Sequence, residues 1–99
     1  KFTRDGTYLT QWGSQGNETG QFNTPCGITT DAYGFIFVAD SFNHRIQKFT
    51  RDGIYLTQWG SRGTGDGEFD IPIGVGTDSG GNIYVADSGN HRIQKFSPE

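Results

Sequence analysis

Asn43-His44-Arg45-Ile46-Gln47-Lys48-Phe49 returns letter for letter as Asn90-His91-Arg92-Ile93-Gln94-Lys95-Phe96. Just upstream, Val38-Ala39-Asp40-Ser41 returns as Val85-Ala86-Asp87-Ser88 at the same offset of 47 residues. Farther out, Lys1-Phe2-Thr3-Arg4-Asp5-Gly6 becomes Lys48-Phe49-Thr50-Arg51-Asp52-Gly53. Tyr8-Leu9-Thr10-Gln11-Trp12-Gly13-Ser14 becomes Tyr55-Leu56-Thr57-Gln58-Trp59-Gly60-Ser61. Laid over each other without a gap, residues 1–52 and 48–99 agree at 33 of 52 positions, far beyond chance. Self-similarity at a fixed period of this size marks an array of one supersecondary unit. The chain holds two copies of the unit, cut out of phase with its boundary.

Inside each copy, β-branched and aromatic residues fall in short runs between turn residues, the pattern of strands and hairpins. In the complete copy the first strand is expected over Gly27–Thr30, after Pro25. Asp31–Gly34 turns the chain into a second strand, Phe35–Ala39. Ser41–Asn43 turns it into a third, Arg45–Thr50. Arg51–Gly53 leads to a fourth, Tyr55–Trp59, followed by a Gly-rich loop over 60–70. Alternation along a strand puts Ile36 and Val38 on one face and Phe35 and Phe37 on the other. In the second copy Ile83 and Val85 oppose Asn82 and Tyr84. A sheet with two apolar faces must lie between neighbours, as the blades of a propeller do.

Counting strands gives an assembly argument. The chain opens on a fourth strand, Tyr8–Trp12, continues with a full set of four, and closes on strands one to three. Residues 1–24 are thus expected to supply an outer strand and loop that complete a neighbouring blade. Residues 25–60 form a complete blade, 61–71 an inter-blade loop, and 72–99 three strands of a second blade. Alone, such a chain exposes two apolar end faces and unpaired edges, which are interface or aggregation sites. A ring of copies removes both through one heterologous contact that closes by rotation.

Composition agrees. The chain has 99 residues, 31% of them apolar, with 16 Gly and 14% aromatics. The longest apolar run is Phe35–Ala39, whereas a membrane helix needs about 20 such residues. No signal-peptide pattern opens the chain, and no localisation is read from it. One cysteine, Cys26, excludes an internal disulfide and a cysteine zinc finger. Its counterpart is Ile73, so a buried, inert thiol is expected. The net charge of −3 weighs against a large nucleic-acid footprint. Methionine is absent, even at position 1, which suggests an excised or designed fragment.

These residues resemble the NHL repeat family of β-propellers. The match runs through Pro25-Cys26-Gly27-Ile28, Asp31, Gly34, Ile36–Ser41 and Asn43–Phe49. In the second copy it runs through Asp78 and Gly81–Gln94. The family triplet Asn-His-Leu reads Asn-His-Arg in both copies here. Propellers of this family usually have six blades. The resemblance therefore implies an all-β chain with two four-stranded antiparallel blades, closing a six-bladed propeller as a homotrimer, favoured over a dimer or tetramer. It also implies a loop face built from Ser14–Thr24, Ser61–Ile71, Ser41–Asn43 and Ser88–Asn90, where family members bind RNA or protein.

Asp40, Asn43, His44 and Arg45, with their copies Asp87, Asn90, His91 and Arg92, carry the polar chemistry. Ser, His and Asp crowded into one turn rarely achieve the geometry of a hydrolytic triad. Asp and Asn instead suit turn hydrogen bonds, and Arg can bridge carboxylates between blades. A structural motif is the expectation, with no catalytic residue. Related propeller lyases hold metal through channel residues. The channel positions here, Gly27–Thr30 and Gly74–Thr77, are poor ligands, so neither metal nor cofactor is expected. Asp31 and Asp78 should cap the first turns. Gly63–Gly67 lacks the helix and lysine of a phosphate loop.

The candidate ligand-binding residues are Phe42, Asn43, Arg45, Arg62, Asn90 and Arg92 on the loop face. Phe42 replaces Gly89 in a turn that needs no aromatic. Against these arginines stand Glu18, Asp66, Glu68 and Asp70 in the same loops. The expected function is a non-catalytic, self-assembling propeller fragment or designed repeat, a scaffold for protein or peptide ligands. RNA binding is the alternative, disfavoured by charge. A lyase or hydrolase fragment is a weaker one, since near-identical copies lack the asymmetry of a catalytic site.

Overall fold

The computed structural model describes residues 1–98 and is all-β. Strands β1 (Pro25–Thr30), β2 (Ile36–Asp40), β3 (Arg45–Phe49) and β4 (Tyr55–Trp59) form a first antiparallel sheet in that order. Strands β5 (Pro72–Thr77), β6 (Ile83–Asp87) and β7 (Arg92–Phe96) form a second sheet of three. A single 3-10 turn joins β2 to β3 over Ser41–Asn43, and another joins β6 to β7 over Ser88–Asn90. Among the described residues no helix is long and apolar enough to cross a membrane.

The turns explain why the strands stop. Gly53 donates its N–H to the Thr50 carbonyl at 2.9 Å with φ of 87°, a conformation that glycine adopts without a Cβ penalty. A Cβ there would also strike the Trp12 ring at 2.6 Å. At the β2–β3 turn, His44 takes the left-handed conformation, φ 53°, and its copy His91 does the same at 55°. Both β1 and β5 begin with a bulge, between Pro25 and Gly27 and between Pro72 and Gly74.

The first sheet is sandwiched. One face carries Phe37, Ala39 and Ile46, which pack with Phe69, Ile83 and Val85 of the second unit into one buried cluster. Trp59 and Phe96 close it, with ring centroids 5.5 Å apart. The other face carries Ile36, Val38 and Phe49, covered by Trp12, Phe22 and Tyr55. The two clusters repeat one motif. Trp12 and Phe22 sit 5.7 Å from Phe49, much as Trp59 and Phe69 sit 5.5 and 5.9 Å from Phe96. The outward face of the second sheet, by contrast, has no cover among the described residues.

Tyr8–Trp12 is not a strand in the single chain. Its Tyr8 makes an isolated bridge with Phe2, a copy of the Phe49–Tyr55 pair at the end of β3. Two expectations change, on Cys26 and on the arginines. Cys26 is exposed, not buried. The bulge skips it, pairing Pro25 with Asp40 and Gly27 with Ala39, so its side chain leaves the sheet's face. Its counterpart Ile73, at the second bulge, is exposed for the same reason. Arg45 and Arg92 do not bridge carboxylates between sheets. Each binds the carboxylate of its own sheet, on the residue immediately before its turn.

Candidate functional site

Loop 14–24 and the Ser41–Asn43 turn meet at a buried carboxylate. Asp40, fully buried at the end of β2, is surrounded by donors. Its Oδ1 accepts the Asn23 N–H at 2.8 Å. Its Oδ2 accepts Arg45 Nε at 2.7 Å, Asn43 Nδ2 at 3.0 Å and Gln47 Nε2 at 3.1 Å. Those side chains then reach on into the loop. Arg45 donates to the carbonyls of Asn17, Glu18 and Gln21. Asn43 donates to the Gly16 carbonyl, and Gln47 bonds Gly20 and Gln21. Loop 14–24 is thereby pinned onto the first sheet by carbonyls that would otherwise be unpaired.

Asp87 repeats the arrangement. Its Oδ1 accepts the Asp70 N–H at 2.7 Å, and its Oδ2 takes Arg92 Nε at 2.9 Å and Asn90 Nδ2 at 3.0 Å. Arg92 continues to the carbonyls of Gly65 and Glu68, and Asn90 to that of Gly63. Burial pushes the Asp87 carboxyl up. The Asp70 backbone N–H, Asn90 and Arg92 outweigh that and hold it below the ordinary range.

The remaining turn residues are equally committed. His44 Nδ1 accepts the Ile71 N–H at 3.0 Å, which fixes its acceptor nitrogen and joins the two units. Ser41 Oγ donates to the Pro72 carbonyl at 2.6 Å, also across the units. Ser41 and His44 thus hold the adjacent Pro72 and Ile71 backbone of the next unit, while Asp40 holds Asn23 and Arg45. Among the described residues no three His, Cys, Asp or Glu cluster as metal ligands.

Of the candidate ligand-binding residues, Asn43, Arg45, Asn90 and Arg92 spend their donors on the loops. Phe42 and Arg62 are left at the surface, Phe42 being 51% exposed. The hydrogen bonds from His44 and Ser41 into the next unit were missed by sequence reasoning. Their signal was the recurrence of Ser41 and His44 as Ser88 and His91.

Asp31 and Asp78 cap their turns as expected. Asp31 Oδ1 accepts the Tyr33 and Phe35 N–H groups, both at 3.0 Å. Asp78 Oδ1 accepts those of Gly80 and Asn82. The second copy has Asn82 and Tyr84 where the first has Phe35 and Phe37. The Asn82 amide and the Tyr84 hydroxyl, at 3.1 and 2.9 Å, lower the Asp78 carboxyl from 3.8 to about 2. The folded-state value lies below the unfolded one. The stabilisation is therefore whole above pH 3.8 and disappears as pH falls through about 2. Tyr84→Phe should raise the Asp78 midpoint. A carboxyl-carbon NMR titration reads it, and an unmoved midpoint would show the hydroxyl idle.

The open face of the second sheet is the other notable surface. Ile46 is fully buried, yet its copy Ile93 is 68% exposed. Beside it, Tyr84 and Ala86 are half-buried, where their counterparts Phe37 and Ala39 are buried. At the opposite end of the molecule, Trp12, Phe22, Pro25, Cys26, Gly27 and Ile28 line a shallow apolar groove.

Comparison with known proteins fits this picture. No curated protein sequence matches the chain. A solved structure of a candidate phosphatase from Bacteroides thetaiotaomicron superposes with a TM-score of 0.65 at 20% identity. The match covers 85% of this chain but only 24% of that one, and at that identity it supports the fold alone. The family model for the NHL repeat matches residues 22–49 and again 69–96, each span running from the phenylalanine that precedes a sheet to the end of its third strand. With two such matches, each holding the same buried aspartate and its arginine, the chain belongs to the NHL repeat family.

Proposed function

We propose that the chain is a non-catalytic, self-assembling propeller unit whose copies close a ring and present a shared loop face to protein or peptide ligands. The carrying observation is the contrast between Ile46, fully buried, and Ile93, 68% exposed, within identical heptapeptides. An apolar face that is core in one copy and solvent-exposed in the next is a surface awaiting the following sheet. Three chains of two units make the six-bladed ring usual for the family.

The scaffold role rests on how the loops spend their charge. Arg45 and Arg92 are occupied by Asp40, Asp87 and loop carbonyls. The two long loops otherwise carry Glu18, Asp66, Glu68 and Asp70 against the single base Arg62. Such a face suits a cationic protein segment better than a polyanion.

Native mass spectrometry tests the assembly. The expected particle weighs three times the 10.9 kDa chain, and a folded single chain at micromolar concentration would sink the ring. Ile93→Glu should keep the chain folded but single, whereas Ile46→Glu should unfold it. For the loop face, a labelled oligolysine peptide should bind saturably. Tight binding of single-stranded RNA with steep salt dependence would overturn the preference for protein.

A further inference from the structure

We propose that copies join through a replica of the contacts that already join the two sheets within one chain, centred on Gly74, Ser88, His91 and the edge of β7. The proposal rests on the ring assembly above and names its joint atom by atom. Within the chain, the shared apolar cluster is flanked by polar and close backbone contacts between the two units. Ile71 N–H donates to His44 Nδ1, Ser41 Oγ donates to the Pro72 carbonyl, and Thr77 Oγ1 donates to the Thr30 carbonyl. Gly27 lies so close to the Ile73 carbonyl that a Cβ there would collide with it.

Each contact has a half waiting 47 residues away. Thr24 holds the same left-handed backbone as Ile71, φ 56° against 54°, a costly conformation for a β-branched residue. Among the described residues its N–H has no acceptor, and His91 Nδ1 no donor. Ser88 is the copy of Ser41, and Pro25 that of Pro72. Gly74 is the copy of Gly27. Among the described residues a Cβ on Gly74 meets only the Ala86 methyl, at 3.4 Å, so none of them requires glycine there. In the joint, the Cys26 carbonyl of the next copy takes the place of the Ile73 carbonyl, and glycine becomes necessary.

The strand edge follows the same rule. β3 pairs with β4 as Ile46–Trp59, Gln47–Gln58, Lys48–Thr57 and Phe49–Tyr55. The free edge of β7 therefore takes Tyr8–Trp12 of the next copy as Ile93–Trp12, Gln94–Gln11, Lys95–Thr10 and Phe96–Tyr8. In the single chain that seat is held by residues 1 and 2. Leu9 N–H donates to the Lys1 carbonyl, and Phe2 bridges Tyr8. Assembly displaces this small hairpin.

Two variants test the joint on the intact chain. Gly74→Ala should leave the urea midpoint of the dilute chain unchanged. It should weaken association at least about tenfold, as a methyl forced against backbone does. In a Cys26→Ser background, Thr10→Cys with Lys95→Cys should oxidise to a ladder of covalent dimers and trimers on denaturing gels. Opposed strand positions bring Cβ atoms within disulfide reach. If the wild-type chain associates while Gly74→Ala associates equally well and the cysteine pair gives no ladder, the copies meet elsewhere and this joint is wrong. If the wild-type chain never associates, the ring itself fails, a different result read from the unmodified protein.

Discussion

Asp40→Ala is expected to destabilise the chain by about 3–5 kcal/mol, the usual cost of removing one partner from a buried ion pair. Asp40 is fully buried and the Arg45 side chain 7% exposed, so the guanidinium cannot regain water without the loop opening. The loss spreads beyond the pair. Asn23 N–H, Asn43 and Gln47 lose their acceptor together, and through them loop 14–24 loses its anchor. Asp87→Ala removes the matching group in the second unit. Its arginine side chain is 29% exposed, so rehydration is easier and the cost should be smaller. Urea unfolding of the two variants, measured at a concentration where chains are separate, checks the order. Equal costs would mean that burial of the arginine does not set the penalty.

Phe69→Ala should cost a similar amount, about 3–5 kcal/mol, by opening a cavity between the sheets. Phe69 is fully buried and touches both the first sheet's Phe37–Ile46 face and Phe96. Its copy Phe22 meets Phe49 on one side only and is half-buried. Phe22→Ala should therefore cost distinctly less in the single chain. In an assembled ring the second side of Phe22 is covered by the next copy, and the two costs should converge. Denaturation at low and high chain concentration separates the cases. Costs that stay unequal at every concentration would show that nothing ever covers Phe22.

The fold was legible where its causes are local. Strand positions and hairpin turns follow from alternation and from turn residues such as Asp31–Gly34 and Thr50–Gly53, which act over a few residues. The four strands of the complete copy were placed within two residues of their observed limits. Asp40, Asn43 and Arg45 were legible as one group, since turn chemistry and repetition both singled them out. The direction of Arg45 was not. Whether it reaches a neighbouring sheet or its own loop depends on which face of β3 it occupies once the sheets have packed. Cys26 was misread because a bulge, not the pattern of apolar residues, decides where its side chain goes.

The sequence alone determined that the chain is two copies of one β unit, since a 47-residue period and its turn residues survive any packing. Only the tertiary structure decided that the two copies are inequivalent. Asn43–Phe49 and Asn90–Phe96 are the same seven residues with the same local conformation, yet Ile46 is sealed and Ile93 faces water. Burial is set by what lies across the sheet, and the first copy has a following sheet while the second, among the described residues, has none.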